Sequence, residues 1–557
     1  MKVIVSCLNS KYVHASLSPW CLMAGVKAFA KNEYEISVKE ATINGDITLF
    51  AKEIISENAD VVALSCYIWN ITKTLALCRL IKEESDCIIV LGGPEVSHRA
   101  ADILKNNSCV DYVLSGEGEW VFPDFLDNLC GNLNSVSGVS FRENGRIVSI
   151  PEKVQTETPP SPFCDEFFEN LGGRITYIET SRGCPYRCAF CLSGGCSPLR
   201  YFDLEQVKED IIRLANSGTQ TVKFVDRTFN AKADRCNEIL LFIRENIGKS
   251  IPEGVCFHFE IAGDILKEST LGILASMPRR SVQLEIGMQS FNEETLRLIN
   301  RKTDTQKLIE NIRKLISFNN MHVHIDLIAG LTGEDLTSFR NGFNTAYNLR
   351  AHMLQLGFLK LLHGADMREN SEKYPCEFTD VPPYEVTSTP WLSAEEIRML
   401  KKCEDAVDRL YNSGRFLFTL DYLTEEIGIE PFDVFNDFGN AVNGNKMRLS
   451  DYAEKLFYFF RDRCNEEILK EKILCDLLCC STSVTIPDIF KSRNPIYKKA
   501  KKYFLENVDK AIKIAVINTE NKIFAVNQSK EKNLRNRFEG EFFEFDVINK
   551  GNISNEL

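Results

Sequence analysis

The chain has 557 residues, a length that suggests roughly three or four domains, each able to bury a core of its own. Apolar residues make up 44% and charged residues 26%, which excludes general disorder, and a net charge of -12 argues against broad affinity for nucleic acid or an anionic membrane. No apolar run is long enough to span a bilayer, and the opening MKVIVSCLNSKYVHAS lacks the basic, apolar and small-residue segments of a signal peptide, so a cytoplasmic protein with no membrane partner is expected.

In chain order, the first 150 residues alternate short apolar runs with helical patterns: VIVSCL, EISVKEA, VVALSCY, IIVLGGP and YVLSGEG. That rhythm predicts a doubly wound parallel sheet. In such a sheet the ligand crevice lies at the carboxyl ends of the strands, where Ser65, Gly92, Gly93, Gly116 and Gly118 would converge. Any single glycine there is explained as well by a strand-to-helix turn. VSFRENGRIVSI then reads as a hairpin about Asn144-Gly145, and a proline-rich linker follows. The expected divisions are 1-150, a linker at 151-172, a second domain at 173-375 and a C-terminal domain at 376-557.

The second domain carries six strand patterns, ITYIET, TVKFVD, VCFHFEIA, SVQLEIGM, VHIDLIAG and LQLGFLKL, separated by helical ones. Six units are too few for a closed eight-stranded barrel and suit an open, partial one, with active residues at the carboxyl ends of the strands. Beyond about residue 380, Ser393 with Glu396 offers a capping box and long helical patterns follow. The chain closes on short strand patterns. Cys464, Cys475, Cys479 and Cys480 lie in apolar surroundings, so core packing is expected there rather than a second cluster.

Directly after ITYIET comes ETSRGCPYRCAFC, which spaces Cys184, Cys188 and Cys191 as C-x3-C-x2-C. In a cytosolic chain such cysteines are thiols or metal ligands. Three thiolates can hold three irons of a cubane while the fourth iron stays open to an external ligand. A zinc knuckle would want a fourth ligand at short range, for which Cys196 is the nearby candidate.

This spacing, with Phe190 just before the last cysteine, resembles the signature of the radical S-adenosylmethionine (SAM) superfamily. The resemblance implies a [4Fe-4S] cluster at Cys184, Cys188 and Cys191, SAM chelating the open iron, and reductive cleavage to a 5'-deoxyadenosyl radical, with an electron donor such as flavodoxin or ferredoxin. LEIGMQSFNEETLRLINR resembles the family's fourth-strand region and implies pocket roles for Glu285 and Gln289 and a SAM contact for Ser290. HIDLIAGLTGE resembles its fifth-strand motif and points to Asp326, Gly330 and Gly333. FVDRTFN resembles the family's second-strand end and FEIAGD does likewise, which implies that Asp226, Asn230 and Glu260 face the cavity. Gly194-Gly195 follow the cysteine loop without the acidic residue of the family's Gly-Gly-Glu element.

A doubly wound domain ahead of such a barrel resembles the cobalamin-binding radical SAM subfamily, on the segments SCYIWN, LGGPEVS and LSGEGEWVF. The fold implied is α/β: a Rossmann-like cobalamin-binding domain, a partial TIM-like radical SAM barrel, and a mainly helical C-terminal domain ending in short strands, the last resembling an uncharacterised domain found on some of these proteins. The DxHxxG loop that supplies a histidine to cobalt is missing, so cobalamin is expected to bind without a protein histidine on cobalt, with His14 and His98 as the alternatives. The activity implied is C-methylation of an unactivated carbon. Cobalamin-assisted oxidation, cyclisation or ring contraction is the enzymatic alternative, and a non-catalytic cluster or cobalamin sensor the other. The substrate and the catalytic side chains are not specified by the sequence.

Overall fold

The computed structural model describes residues 1-194, 199-442, 447-480 and 485-491. Beyond them it describes Lys502, Glu506, Leu534 and strands at 513-516, 522-532 and 538-546. The residues gather into two compact units, one formed by Met1–Glu285, Glu294–Asn311 and Phe358–Pro390, the other by Ile286–Glu293, Ile312–Gly357 and Trp391–Leu557.

In the first unit, strands β1 (Lys2–Asn9), β2 (Glu35–Thr42), β3 (Val61–Ser65), β4 (Ile88–Gly92), β5 (Tyr112–Leu114), β6 (Val139–Glu143) and β7 (Arg146–Ser149) form one sheet in the order β2-β1-β3-β4-β5-β6-β7. The first five run parallel, and the predicted hairpin extends the sheet in antiparallel fashion. Side chains bury on both faces: Val3, Val5, Val61 and Ala63 pack in one layer, and Ile4, Val62, Leu64 and Ile89 in the other. Burial on both sides is why these strands read as continuous apolar runs, and it fixes their register. The hairpin turns at Asn144 and Gly145, with φ of 49° and 77°, the two left-handed residues that a turn matching strand twist requires.

The same unit starts a second sheet. After β8 (Thr176–Ile178), the short strands β9 (Ser181–Arg182) and β10 (Arg200–Tyr201) pair with each other, and β11 (Thr221–Phe224), β12 (Cys256–Ile261) and β13 (Val282–Gln289) follow. The order is β8-β11-β12-β13, and β13 contributes Val282–Glu285 to this unit. Helices Leu204–Ala215 and Ala233–Asn246 make the crossovers, and the Asp203 side chain accepts from Gln206 N to start the former. The free edge of β8 is covered by residues 13-15, through Ile175 N to Val13 O and Ala15 N to Ile175 O.

The second unit holds Ile286–Gln289 of β13, then β14 (His322–Ala329) and β15 (Met353–Phe358) in the order β13-β14-β15. Phe343 and Tyr347 of helix Leu336–Asn348 lie edge-on to Phe435 of helix Pro431–Val442 at 5.8 and 5.6 Å, so the end of the strand-helix series and the helical C-terminal region share one core. Buried Asp476 accepts from Thr419 N at 2.9 Å and Thr419 Oγ1 at 2.8 Å, which satisfies the start of helix Leu417–Asp421. Cys475 and Cys479 are buried in helix Glu466–Cys480, and the closing strands form a three-stranded antiparallel sheet. Among the described residues no helix is long and apolar enough to cross a membrane.

The capping box at Ser393 is formed in full: Glu396 N donates to Ser393 Oγ at 3.3 Å and Ser393 N to Glu396 Oε2 at 2.8 Å. Ser393→Ala is expected to lower stability by about 1 kcal/mol, seen as a lower urea midpoint with unchanged slope. An unmoved midpoint would show that the cap contributes nothing here.

Candidate functional site

The cysteine loop leaves the sheet at β9 and returns at β10, whose pairing closes its base: Arg182 faces Arg200 and Ser181 faces Tyr201. Backbone bonds hold its middle, with Ala189 N donating to Ile299 O and Met367 N to Ala189 O, both at 2.9 Å, and Asn300 Nδ2 reaching Arg187 O at 2.8 Å. Cys188 is buried, and Cys184 and Cys191 are half-buried. Burial pushes the Cys188 thiol up and Arg301 opposes it; the neighbouring Cys191 and Cys184 add to the rise. Arg301 Nη1 lies 3.7 Å from Cys188 Sγ, and Thr228 Oγ1 lies 3.5 Å from Cys184 Sγ.

Three thiols in one loop braced through its backbone, with Cys184 and Cys191 both close enough to act on Cys188, fit a cubane held by three ligands. Metal binding displaces the thiol protons, and a cation beside the most buried sulfur favours the thiolate. Gly195 and Cys196 lie outside the described residues; Gly194 ends a short turn at Leu192–Gly194.

At the carboxyl edge of the first sheet, Ser65, Gly92, Gly93, Gly116 and Gly118 all line one cavity of about 300 Å³. Its inner wall is apolar, from Leu22, Ala63, Val90, Leu114, Val121 and Phe122. The structure changes the reason for the glycines. Gly93 has φ of 105° and a Cβ there would sit 2.6 Å from Cys66 O, while one on Gly118 would meet Leu22 Cδ2 at 2.5 Å. Gly93 is required by the fold itself, Gly118 faces only the end of a side chain, and the cradle is made by the strand ends around them.

A wider space of about 870 Å³ shares Gly93, Ser115, Gly116 and Glu117 with the first and continues to Ser181, Gly183, Leu192 and Ser193 of the cysteine loop. An apolar slot that opens into a broad polar chamber suits a large ligand with a flat tail, as cobalamin is. Of the two histidines, His98 borders the wider space, whereas His14 does not and bonds Tyr177 Oη through Nδ1 at 2.7 Å.

One arginine dominates the junction of these spaces. Arg182 Nη2 pairs with Glu119 at 2.8 Å and Glu179 at 2.6 Å, Nη1 also binds Glu117, and Arg200 binds Glu117 as well. Burial opposes ionisation of Glu119, yet Arg182 outweighs it and holds the carboxyl below its usual range; at Glu179 burial prevails and pushes the carboxyl up. Sequence reasoning missed Glu117, Glu119, Glu179, Arg182 and Arg301. The signal was present, since Arg182 stands two residues before Cys184 and Glu117 and Glu119 alternate with glycines at a strand end, but charge at those positions reads as surface until the partner is seen.

The strand-end polar residues divide. Asp226 does not face open space: it is 2% exposed and accepts from Thr180 N at 2.7 Å and from the Thr180 and Ser181 hydroxyls, the latter at 2.9 Å. Asn230 is spent on Ala262, donating to its O at 2.8 Å and accepting from its N at 2.9 Å. Glu260 is half-buried on β12, and Glu285 Oε2 lies 3.0 Å from Nε2 of buried His258. In the second unit, Gln289 has φ of 70°, a left-handed geometry uncommon for its residue type at the end of a strand. Next to it, Ser290 donates to buried Glu334 and accepts from Asn292 N, so its hydroxyl is already engaged. Asp326 Oδ1 is 2.8 Å from His324 Nε2, and Gly330 and Gly333 take φ of 88° and 87° in the turn after β14.

A doubly wound sheet followed along the chain by a strand-helix series with a three-cysteine loop at its first strand end is the arrangement of a radical SAM protein with a second cofactor domain. Residues 178–341 match the Radical SAM superfamily, residues 19–126 the B12 binding domain, and residues 372–557 a protein family of unknown function, DUF4080. The chain belongs to the radical SAM proteins that carry a B12-binding domain and this C-terminal domain. Its cofactors are accordingly a [4Fe-4S] cluster, SAM and cobalamin.

It is 30% identical over 336 residues to the 2-(S-pantetheinyl)-carbapenam-3-carboxylate methyltransferase of Streptantibioticus cattleyicolor, covering 53% of this chain and 45% of that one. It is 28% identical over 344 residues to the cobalamin-dependent radical SAM methyltransferase TokK of Streptomyces tokunonensis, covering 54% and 47%. The chain thus spans about half the length of these curated relatives. Among solved structures, the cobalamin-dependent SAM radical enzyme OxsB with aqua-cobalamin and SAM bound superposes with a TM-score of 0.60 at 15% identity, covering 86% of this chain and 78% of that one, a likeness of fold.

Proposed function

We propose that the chain methylates an unactivated carbon of its substrate by cobalamin-dependent radical chemistry. The observation that carries this reading is the wider cavity, which runs from Gly93, Ser115 and Gly116 at the strand ends of the first sheet to Gly183, Leu192 and Ser193 of the cysteine loop. When bound, the cluster with SAM supplies a radical that removes a substrate hydrogen, and cobalamin supplies a methyl group. The residues of the chain bring the two chemistries into one space, and positioning of that kind contributes several kcal/mol to a reaction between bound groups. Cys184, Cys188 and Cys191 would hold the cluster, and Arg301 would favour the Cys188 thiolate against the effect of its burial. Residues 1-150 would hold cobalamin and 173-375 the cluster and SAM, joined by the linker at 151-172 and followed by 376-557, with electrons from a flavodoxin- or ferredoxin-type donor. The names of the relatives support methyl transfer as the outcome.

The test is to incubate the reconstituted, cobalamin-loaded chain anaerobically with SAM, a reducing system and fractionated metabolite extracts. A product heavier by one methylene, with S-adenosylhomocysteine and 5'-deoxyadenosine formed in equal amounts, is expected. Deoxyadenosine without homocysteine product or mass gain would mean oxidation, cyclisation or ring contraction instead. Neither nucleoside, in protein that binds both cofactors, would mean a sensor.

A further inference from the structure

Glu117 stands between β5 and helix Gly118–Asn128 and lines both cavities. Its Oε2 is held by two guanidiniums, those of Arg182 and Arg200. Its Oε1 is buried and has no hydrogen-bond partner. A desolvated, unpaired carboxylate oxygen is costly, and the cost is removed when a donor arrives. Arg182 is committed to Glu119 and Glu179, and Arg200 donates through Nη1 to the carbonyl of Gln155 while its buried Nε has no partner; both guanidiniums meet Glu117 at Oε2 and not at Oε1. The three carboxylates Glu117, Glu119 and Glu179 face these two guanidiniums, so the junction carries an excess of acceptors. Neither guanidinium bonds Oε1, so a donor for it would come from whatever fills the cavity, and a neutral N–H can satisfy it without displacing either arginine.

We propose that Glu117 is a cobalamin-positioning residue whose Oε1 accepts an amide N–H from the rim of the corrin, while Arg182 ties that contact to the cysteine loop two residues ahead of Cys184. The corrin rim carries primary acetamide and propionamide groups, which supply such donors. The assignment rests on the reading that these cavities take cobalamin. Arg182 and Arg200 dictate how a substituted side chain would lie. In Glu117→Gln the amide oxygen must turn to the guanidiniums, which leaves the amide NH2 at the cavity. Shape is kept, yet the acceptor there becomes a donor facing donors.

The test is titration of the cluster-loaded full chain with hydroxocobalamin, followed by visible absorbance and by the fraction retained on gel filtration. Failure of the parent protein to retain hydroxocobalamin would sink the reading of the cavity, separately from the role of Glu117. With the parent binding, Glu117→Gln and Glu117→Ala are each expected to bind at least about tenfold more weakly, as loss of a hydrogen bond to a charged group implies, with cluster iron unchanged. Glu119→Gln alters the same arginine's other partner by the same chemistry and is expected to cost clearly less affinity than Glu117→Gln, since no Glu119 oxygen is left unpartnered. Unchanged affinity in Glu117→Gln, or equal losses in Glu117→Gln and Glu119→Gln, would overturn the proposal. So would a Glu117→Gln variant that loses SAM affinity but keeps hydroxocobalamin, since the oxygen would then serve the SAM ammonium.

Discussion

Replacing Cys184, Cys188 or Cys191 with Ala is expected to reduce iron after anaerobic reconstitution from about four per chain to near none, and to abolish reductive cleavage of SAM. The three cysteines share one loop, and Cys184 and Cys191 both bear on Cys188. With two thiolates left, two of a cubane's four irons lack a protein ligand instead of one, so the loss is expected to be close to complete and not proportional. The loop itself should survive. Its base is closed by the β9-β10 ladder and its middle by the bonds of Ala189 to Ile299 and Met367, none of which uses a sulfur. Far-ultraviolet circular dichroism should therefore stay at the parent's level while the cluster absorbance disappears. Cys479→Ala, buried in helix Glu466–Cys480, serves as the control and should keep full iron. A triple variant that kept all of its iron would disprove the assignment.

The parts legible in the sequence are those set by local pattern. The strand patterns mark all five parallel strands of the first sheet and all six of the second, because all but β2, which is half-buried at most, bury side chains on one or both faces. Asn144-Gly145 announced its turn, Ser393 and Glu396 their cap, and C-x3-C-x2-C its thiol loop. The convergence of Ser65 with Gly92, Gly93, Gly116 and Gly118 followed from strand topology alone.

What the sequence hid were long-range choices. Asp226 and Ser290 look like cavity residues by position, yet Asp226 satisfies the end of β8 and Ser290 satisfies a buried glutamate. Whether a polar side chain at a strand end faces inward or binds its neighbour depends on residues 40 and more positions away, Thr180 for the one and Glu334 for the other. The arginine junction was hidden for the same reason, since Glu117 and Arg182 are 65 residues apart.

Gly25→Ala is expected to be among the most damaging single changes in the first domain, although Gly25 touches no ligand and sits in the middle of helix Ser18–Phe29, where Ala is ordinarily the better helix former. A Cβ at that position would lie 2.3 Å from Glu119 O, 2.7 Å from Glu119 Cα and 2.8 Å from Glu119 C. All three are backbone atoms of the helix that starts at Gly118, so no side chain can swing away and the two helices must separate. Overpacking of this kind costs typically 1–3 kcal/mol, and with a backbone obstacle a cost of about 3 kcal/mol is expected. The displacement falls on Glu119, and Glu119 and Glu117 are the residues that Arg182 grips, so helix separation should pull the cavity wall away from the cysteine loop. Lower thermal stability and weaker hydroxocobalamin binding should therefore appear together. Gly118→Ala provides the contrast. Its Cβ would meet only the flexible end of Leu22, which can turn aside at a cost below about 1 kcal/mol. A Gly25→Ala protein that melted at or above the Gly118→Ala variant would show that the helix pair has slack at this contact, and that the junction above the cluster is not held by it.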